Sequence, residues 1–221
     1  MYDDAPLEVK VWGELACFTR PEMKAERVSY PVMTPSAARG VLEAVFWKPE
    51  FAWRVREIQV LNPLRHFSIL RNEVNTKMSF LAAKSRLAKG GSYYAEEDRA
   101  QRHTLALRDV AYIIKADVNL RPDVAEDPAK YRDQFRRRVT KGRCYHTPYL
   151  GCREFCAFFG EPAHDEKPID ISDDLGLMLF DLVFSEDGSG RGIPRFFHAR
   201  LENGILKVPQ ELYSSLDQRS A

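Results

Sequence analysis

Residues 109–118 read DVAYIIKADV, and this short stretch decides the fold class. Val110, Tyr112, Ile114, Ala116 and Val118 fall on one face, while Lys115 and Asp117 fall on the other. A period of two predicts a β-strand with one face in the core. Upstream, RVREIQVL (54–61) reads as a strand closed by Asn62-Pro63. Before it, Thr34-Pro35 predicts a helix start, since Thr caps free N–H groups and Pro suits the first helical position. That helix runs through SAARGVLEAVFW, with Ala38, Leu42 and Val45 at core spacing, and stops before Pro49. Residues 7–12 alternate again, with Leu7, Val9 and Val11 facing one way. Downstream, a helix is predicted over about 126–140, with Tyr131, Phe135 and Val139 on its apolar side.

Residues 72–107 interrupt this series with Lys84, Arg86, Lys89, Gly90, Gly91, Arg99 and Arg102, and show little period. They read as an inserted hairpin or loop with a mobile tip. Without them the order is strand, helix, strand, strand, helix, with 152–159 or 175–184 as the last strand. This predicts an α+β fold: a ferredoxin-like (RRM-related) βαββαβ domain over 1–145, then a smaller antiparallel β-sheet domain over 146–221. In the latter, RFFHARLENGILKVP (195–209) predicts a hairpin turning at Asn203-Gly204.

The 221 residues are 44% hydrophobic and 29% charged, the mix of a folded domain that buries roughly 70% of its unfolded surface. With 33 basic and 32 acidic residues, the net charge of +1 offers no global argument for a nucleic-acid partner. No run reaches the roughly 18 apolar residues of a membrane span, since LGLMLFDLVF (175–184) contains Asp181. The start, MYDDAPLEV, is acidic where a signal peptide is basic, and four cysteines are too few for a disulfide scaffold. These features predict a reduced, cytoplasmic protein.

Charge is concentrated only locally. Between Asp127 and Arg143 stand Lys130, Arg132, Arg136, Arg137, Arg138, Lys141 and Arg143, against Asp127 and Asp133 alone. Lys130, Arg137 and Lys141 form a stripe beside the apolar face, suited either to phosphate or to a solvated helix surface. Cys144, His146, Cys152 and Cys156 have the spacing C-x-H-x5-C-x3-C, which fits small buried cysteines better than zinc knuckles, with Phe155, Phe158 and Phe159 as core strand. His66, His103, His146, His164 and His198 are scattered outside any ligand motif. Walker, G-x-G-x-x-G and G-x-S-x-G motifs are absent, and GSGRG (188–192) reads as a loop.

The stretch VWGELACFTRPEMKAERVSYPVMTPSAARGVLEAVFWKP (11–49) resembles the N-terminal signature of the CRISPR-associated Cas family five, subtype I-C or Dvulg type. The likeness continues through RNEV (71–74), QRHTLALRDVAYIIKA (101–116), AKYRDQFRRRVTKG (129–142) and YLGCREF (149–155). It implies a metal-independent endoribonuclease, needing no cofactor, that cuts the CRISPR repeat transcript. The product then stays bound by its 5′ handle in a Cascade-type antiviral complex with other subunits, and some members also bind double-stranded DNA. The alternative is a non-catalytic crRNA-handle or DNA-binding scaffold of that complex. The family's catalytic set is a Tyr in the first helix and a Lys-His pair opening the second. These positions are Phe46, Lys130 and Tyr131 here, so two of the three depart from the pattern. Cleavage by the ribose 2′-OH needs a proton acceptor, a proton donor and a cation for the phosphorane. Lys130 supplies the charge and Tyr131, with an ordinary pKa near ~10, is the expected acid. Phe46 has no acid–base chemistry and is expected to pack, while His103 and His146 are the imidazoles that remain to replace the missing one. Arg136, Arg137, Arg138, Lys141 and Arg143 are the expected RNA contacts.

Overall fold

The computed structural model describes residues 5–23, 25–76, 78–184 and 192–217. Along the chain run β1 (Leu7–Ala16), β2 (Arg27–Val28), α1 (Pro35–Val45), β3 (Phe51–Val60), β4 (His66–Val74), α2 (Phe80–Lys89) and β5 (Arg99–Leu120). They are followed by α3 (Pro128–Thr140), β6 (Phe158–Gly160), β7 (Asp173–Phe184), β8 (Gly192–Glu202), β9 (Ile205–Lys207) and α4 (Glu211–Asp217). The fold is α+β, with few helices on a mostly antiparallel sheet in the order β6-β1-β5-β3-β9-β8-β7.

The second half of β5 is the centre of this sheet. Tyr112 pairs with Val11 of β1 on one side and Val60 of β3 on the other, and Ile114 pairs with Val9 and Ile58. The apolar face read from 109–118 is therefore in the core: Tyr112, Ile114 and Ala116 are at most 1% exposed. Helices α1 and α3 lie in the connections β1–β3 and β5–β6 and touch each other as well as the sheet. Thr34 caps α1 by accepting from Ala37 N at 3.2 Å, and Asp127 caps α3 by accepting from Ala129 N at 2.9 Å. Each cap is followed by proline at the first position.

Several expectations need correction. Helix α1 stops at Val45, and Phe46 is extended (φ −152°) with its N–H still bonded to Leu42 O at 2.8 Å. Pro49 ahead and the burial of the Phe46 ring both draw the chain out of the helix. The 72–107 stretch is not irregular. Strand β4 pairs with the first half of β5 from His66↔Leu107 to Val74↔Arg99, and α2 sits at the tip with Ser79 as its cap. No residue of β4 or α2 is fully buried: β4 alternates between exposed and half-buried, but Arg71 and Glu73 share the half-buried side with Phe67 and Ile69, so no apolar period marks it. Strand β5 is correspondingly 22 residues long. At Asp109 it enters the left-handed region (φ 53°), between its last pair with β3 at Tyr112 and its first with β4 at Leu107.

The neighbour of β1 at the sheet edge is the three-residue β6, overlapping the end of the first of the two predicted ranges, whereas 175–184 lies in β7 at the opposite edge. Phe155 is buried, but Phe158 is exposed and stacks on Trp12 at 6.1 Å, because β6 is an edge strand. Cys17 and Cys152 are buried as free thiols, while Cys144 and Cys156 are exposed and so are not the packing residues expected. The hairpin turns at Asn203 and Gly204 (φ 48° and 74°), a type I′ turn. Strand β9 joins β3 through Ile58↔Leu206, which fuses the C-terminal strands into the same sheet. Of the GSGRG loop only Gly192 is among the described residues. No helix among the described residues is long and apolar enough to cross a membrane.

Candidate nucleic-acid interface

Of the three positions carried over from the resemblance, Phe46 at the end of α1 is linked through Phe51 to Tyr131, and Lys130 lies beside Tyr131 at the start of α3. The Phe46 ring is 5.5 Å from Phe51, and Phe51 is 5.4 Å from Tyr131. Phe46 and Tyr131 are 1% and 2% exposed, so both rings belong to the core. The Phe46 carbonyl accepts from Trp53 Nε1 at 2.9 Å, which fixes the chain leaving α1. Only polar tips reach the rim. The Tyr131 hydroxyl donates to Glu126 Oε2 at 2.8 Å, and the Lys130 ammonium is paired with the same oxygen. Burial and the Glu126 carboxylate together push the Tyr131 phenol up to about 12, while Lys130 and then Tyr131 hold Glu126 below the usual carboxylate range. The arrangement keeps Tyr131 protonated at neutral pH and gives Lys130 a carboxylate where it would otherwise face a phosphate oxygen. Glu126 was missed by the sequence reading, although its spacing of four before Lys130 on the approach to a helix was a usable signal.

The basic cluster divides by what each side chain already holds. Arg132 is buried and donates to the Ala5 carbonyl, so it is structural. Arg138 donates to Val45 O at 2.9 Å and lies 5.3 Å from the Phe46 ring, tying α3 to the end of α1. Arg136 pairs with Asp133 at 3.3 Å on an exposed surface. Arg137 spends only its Nε on the Asp133 carbonyl. Helix α3 ends in a Schellman motif: Arg143 N bonds Arg138 O at 2.9 Å, Gly142 N bonds Val139 O at 3.1 Å, and Gly142 has φ 60°. This turn sets Lys141 and Arg143 beside Arg137, and the three line one open groove with Gln134, Arg138, Gly142 and Cys144. Lys141 and Arg143 have no side-chain partner among the described residues.

The chain then folds back over α1, with Tyr145 N and His146 N both bonding Ala44 O, at 2.8 and 3.2 Å. Farther on, Cys17 N bonds Leu150 O at 3.0 Å, and Gly151 (φ 83°) lies so close to the Cys17 carbonyl that a Cβ would sit 2.1 Å from its oxygen. Only glycine fits there. A second groove follows, lined by His146, Thr147, Pro148, Tyr149, Arg153 and Cys156. The structure separates the two imidazoles named from the sequence. His146 is exposed beside the α1 terminus that Arg138 also holds, whereas His103 lies on the ribbon opposite Leu70. All five histidines are exposed, and no cluster of three metal-ligating side chains exists among the described residues.

The site thus consists of a cationic groove at the C-terminal end of α3 and a Lys–Tyr–Glu cluster at its N-terminal end, on an α+β sheet protein. The family comparison is more specific. Residues 6–209 match the model of the CRISPR-associated protein family Cas_Cas5, in its Cas5d form, so the chain belongs to the Cas5d family, the Cas5 of subtype I-C. It is 50% identical over 227 aligned residues to the CRISPR pre-crRNA endoribonuclease Cas5d of Thermus thermophilus, covering 96% of this chain and 95% of that protein. The protein of the same name from Mannheimia succiniciproducens is 42% identical over 217 residues, covering 92% and 94%. Two crystal structures share the fold. One, of a CRISPR-associated protein, is 22% identical with a TM-score of 0.67, covering 96% of this chain and 95% of that one. The other, of the functionally uncharacterized SMU1763c from Streptococcus mutans, is 20% identical with a TM-score of 0.65, covering 96% of each.

Proposed function

We propose that this protein cuts the CRISPR repeat transcript without a metal ion and then holds the crRNA 5′ handle within a multisubunit surveillance complex in the cytoplasm. The observation that carries this reading is the 50% identity, over almost the full chain, to a protein named as a pre-crRNA endoribonuclease. In the reaction the ribose 2′-hydroxyl gives its proton to water and its oxygen attacks the adjacent phosphorus. The bond to the leaving 5′-oxygen breaks and that oxygen takes a proton, which leaves a 2′,3′-cyclic phosphate and a 5′-hydroxyl. Lys130, on releasing Glu126, stabilises the phosphorane charge, and the protonated Tyr131 hydroxyl is the acid for the leaving oxygen. Phe46 supports Tyr131 through Phe51 rather than touching RNA. Arg137, Lys141 and Arg143 bind phosphates, while Arg136 and Arg138 flank them with their charges already engaged.

The first part, 1–145, reads as ferredoxin-like, supported by the strand order β6-β1-β5-β3 with both helices on one side, and 146–221 as a second unit that lends β6 to it. One feature favours a scaffold reading, with crRNA or double-stranded DNA bound and not cut: two of three family catalytic positions are core aromatics. Incubation of the cognate repeat RNA with protein in EDTA decides. The enzyme reading expects a cyclic-phosphate end, lost in Lys130→Ala. Tight binding with no cut after long incubation selects the scaffold.

A further inference from the structure

Tyr145 stands on the ridge between two grooves. Cys144 on one side of it lines the groove of Arg137, Lys141 and Arg143, and His146 on the other lines the groove of Arg153. A strand passing from one cationic groove to the next crosses this residue. Tyr145 is 75% exposed, yet its position is fixed: its N–H is bonded to Ala44 O, and its ring meets the His146 ring edge-on at 5.7 Å. Three residues beyond Ala44, immediately after buried Phe46, Trp47 is 52% exposed. Two large aromatics therefore stand in water near the end of α1, and the residues on either side of Tyr145 line the groove of Arg137, Lys141 and Arg143 and the groove of Arg153.

An aromatic ring in water next to clustered Arg and Lys matches one ligand chemistry closely, an unpaired nucleobase whose phosphates lie in the flanking charge. A duplex keeps its bases stacked on one another and offers such a ring nothing. We infer that Tyr145 and Trp47 form a stacking platform for unpaired bases of an RNA strand whose backbone runs from the α3 groove into the Arg153 groove. The inference rests on the proposed RNA-handling role and adds to it the residues that meet bases.

The test measures fluorescence anisotropy of a labelled short oligouridylate, and of a duplex RNA of equal length, with the full chain. Tyr145→Leu and Trp47→Leu each weaken oligouridylate binding by roughly tenfold, the loss expected for one stacked base. Tyr145→Phe retains binding, because the ring and not the hydroxyl is used. The salt dependence stays parallel to that of the parent, since no charge is removed. Duplex binding does not change. The inference is overturned if Tyr145→Leu and Trp47→Leu bind oligouridylate as tightly as the parent, or if they lose duplex binding equally. If the parent binds oligouridylate and both Leu variants bind it equally well, the platform alone falls. If the parent binds neither these probes nor the cognate repeat RNA, the RNA-handling reading falls with it.

Discussion

Replacing Arg137, Lys141 and Arg143 together by glutamine removes three cations of the α3 groove, none of them paired with a carboxylate. Arg136 is left in place because Asp133 already neutralises it, and Arg138 because it secures the end of α1. Each phosphate contact to a single strand contributes about 0.7 to the slope of log affinity against log salt, so three lost contacts flatten the slope by about 2. The parent and variant lines converge near ~1 M salt. At ~0.1 M they are then separated by about two decades, roughly a hundredfold or ~2.8 kcal/mol. Anisotropy titrations of labelled repeat RNA between roughly 50 and 500 mM salt read both quantities. The melting temperature stays put, because all three side chains are on the surface. A slope changed by less than about 0.5, with unaltered affinity at low salt, would refute phosphate binding by this groove.

Other consequences are as direct. Glu126→Gln frees Lys130 from its competing carboxylate and tightens RNA binding about twofold, the scale of an exposed i,i+4 pair; weaker binding would show that Glu126 aids the ligand. Phe46→Ala opens a cavity beneath Arg138 and costs ~3–5 kcal/mol, a drop of roughly 6–20 °C in melting temperature; calorimetry showing no shift would remove Phe46 from the core. Because the Tyr131 phenol is pushed up to about 12, its proton is retained in the fold past the value at which the unfolded chain releases it. Its stabilising effect is complete below about pH 10 and lost as pH rises toward 12, and cleavage shows no limb from Tyr131 between pH 5 and 9. A limb between about pH 6 and 7.5 that disappears in His146→Ala would assign the proton transfer to His146 instead.

The elements that bury one face were legible from residue order, and those that bury none were not. Alternation across 109–118, the Thr34-Pro35 start and the Asn203-Gly204 turn each report a local rule that the tertiary structure reinforces. Strand β4 puts Phe67, Ile69, Arg71 and Glu73 on its half-buried side and leaves Leu70 and Val74 exposed, while helix α2 buries nothing, so no hydrophobic period marks either. The site divides in the same way. The positions of Lys130, Tyr131 and the basic residues follow from family likeness and composition. The engagement of Arg132 with Ala5, and of Arg138 with Val45, joins residues about a hundred positions apart, which no spacing rule reaches. The exposure of Cys144 likewise follows from the turn at Gly142 and not from its own identity.

Strand β5 has a consequence for reach. One continuous backbone lies in the core between β1 and β3 and then carries the ribbon outward past Asp109, about 70 Å if fully extended. Toward the far end of the β4–β5 ladder, Arg71 and Arg27 clamp Glu154 and Glu73. The projection is thus a cantilever and not a tether: it cannot swivel without breaking rungs of a ladder that runs into the core. Its length is also quantised. Adding two residues to both β4 and β5 moves the tip outward by about 7 Å and leaves every side chain on its own face. Adding one to each turns the distal residues over. Members of a family built on this ribbon can therefore adjust the distance to whatever the tip touches in pairs of residues, leaving the register around Tyr112 as it is.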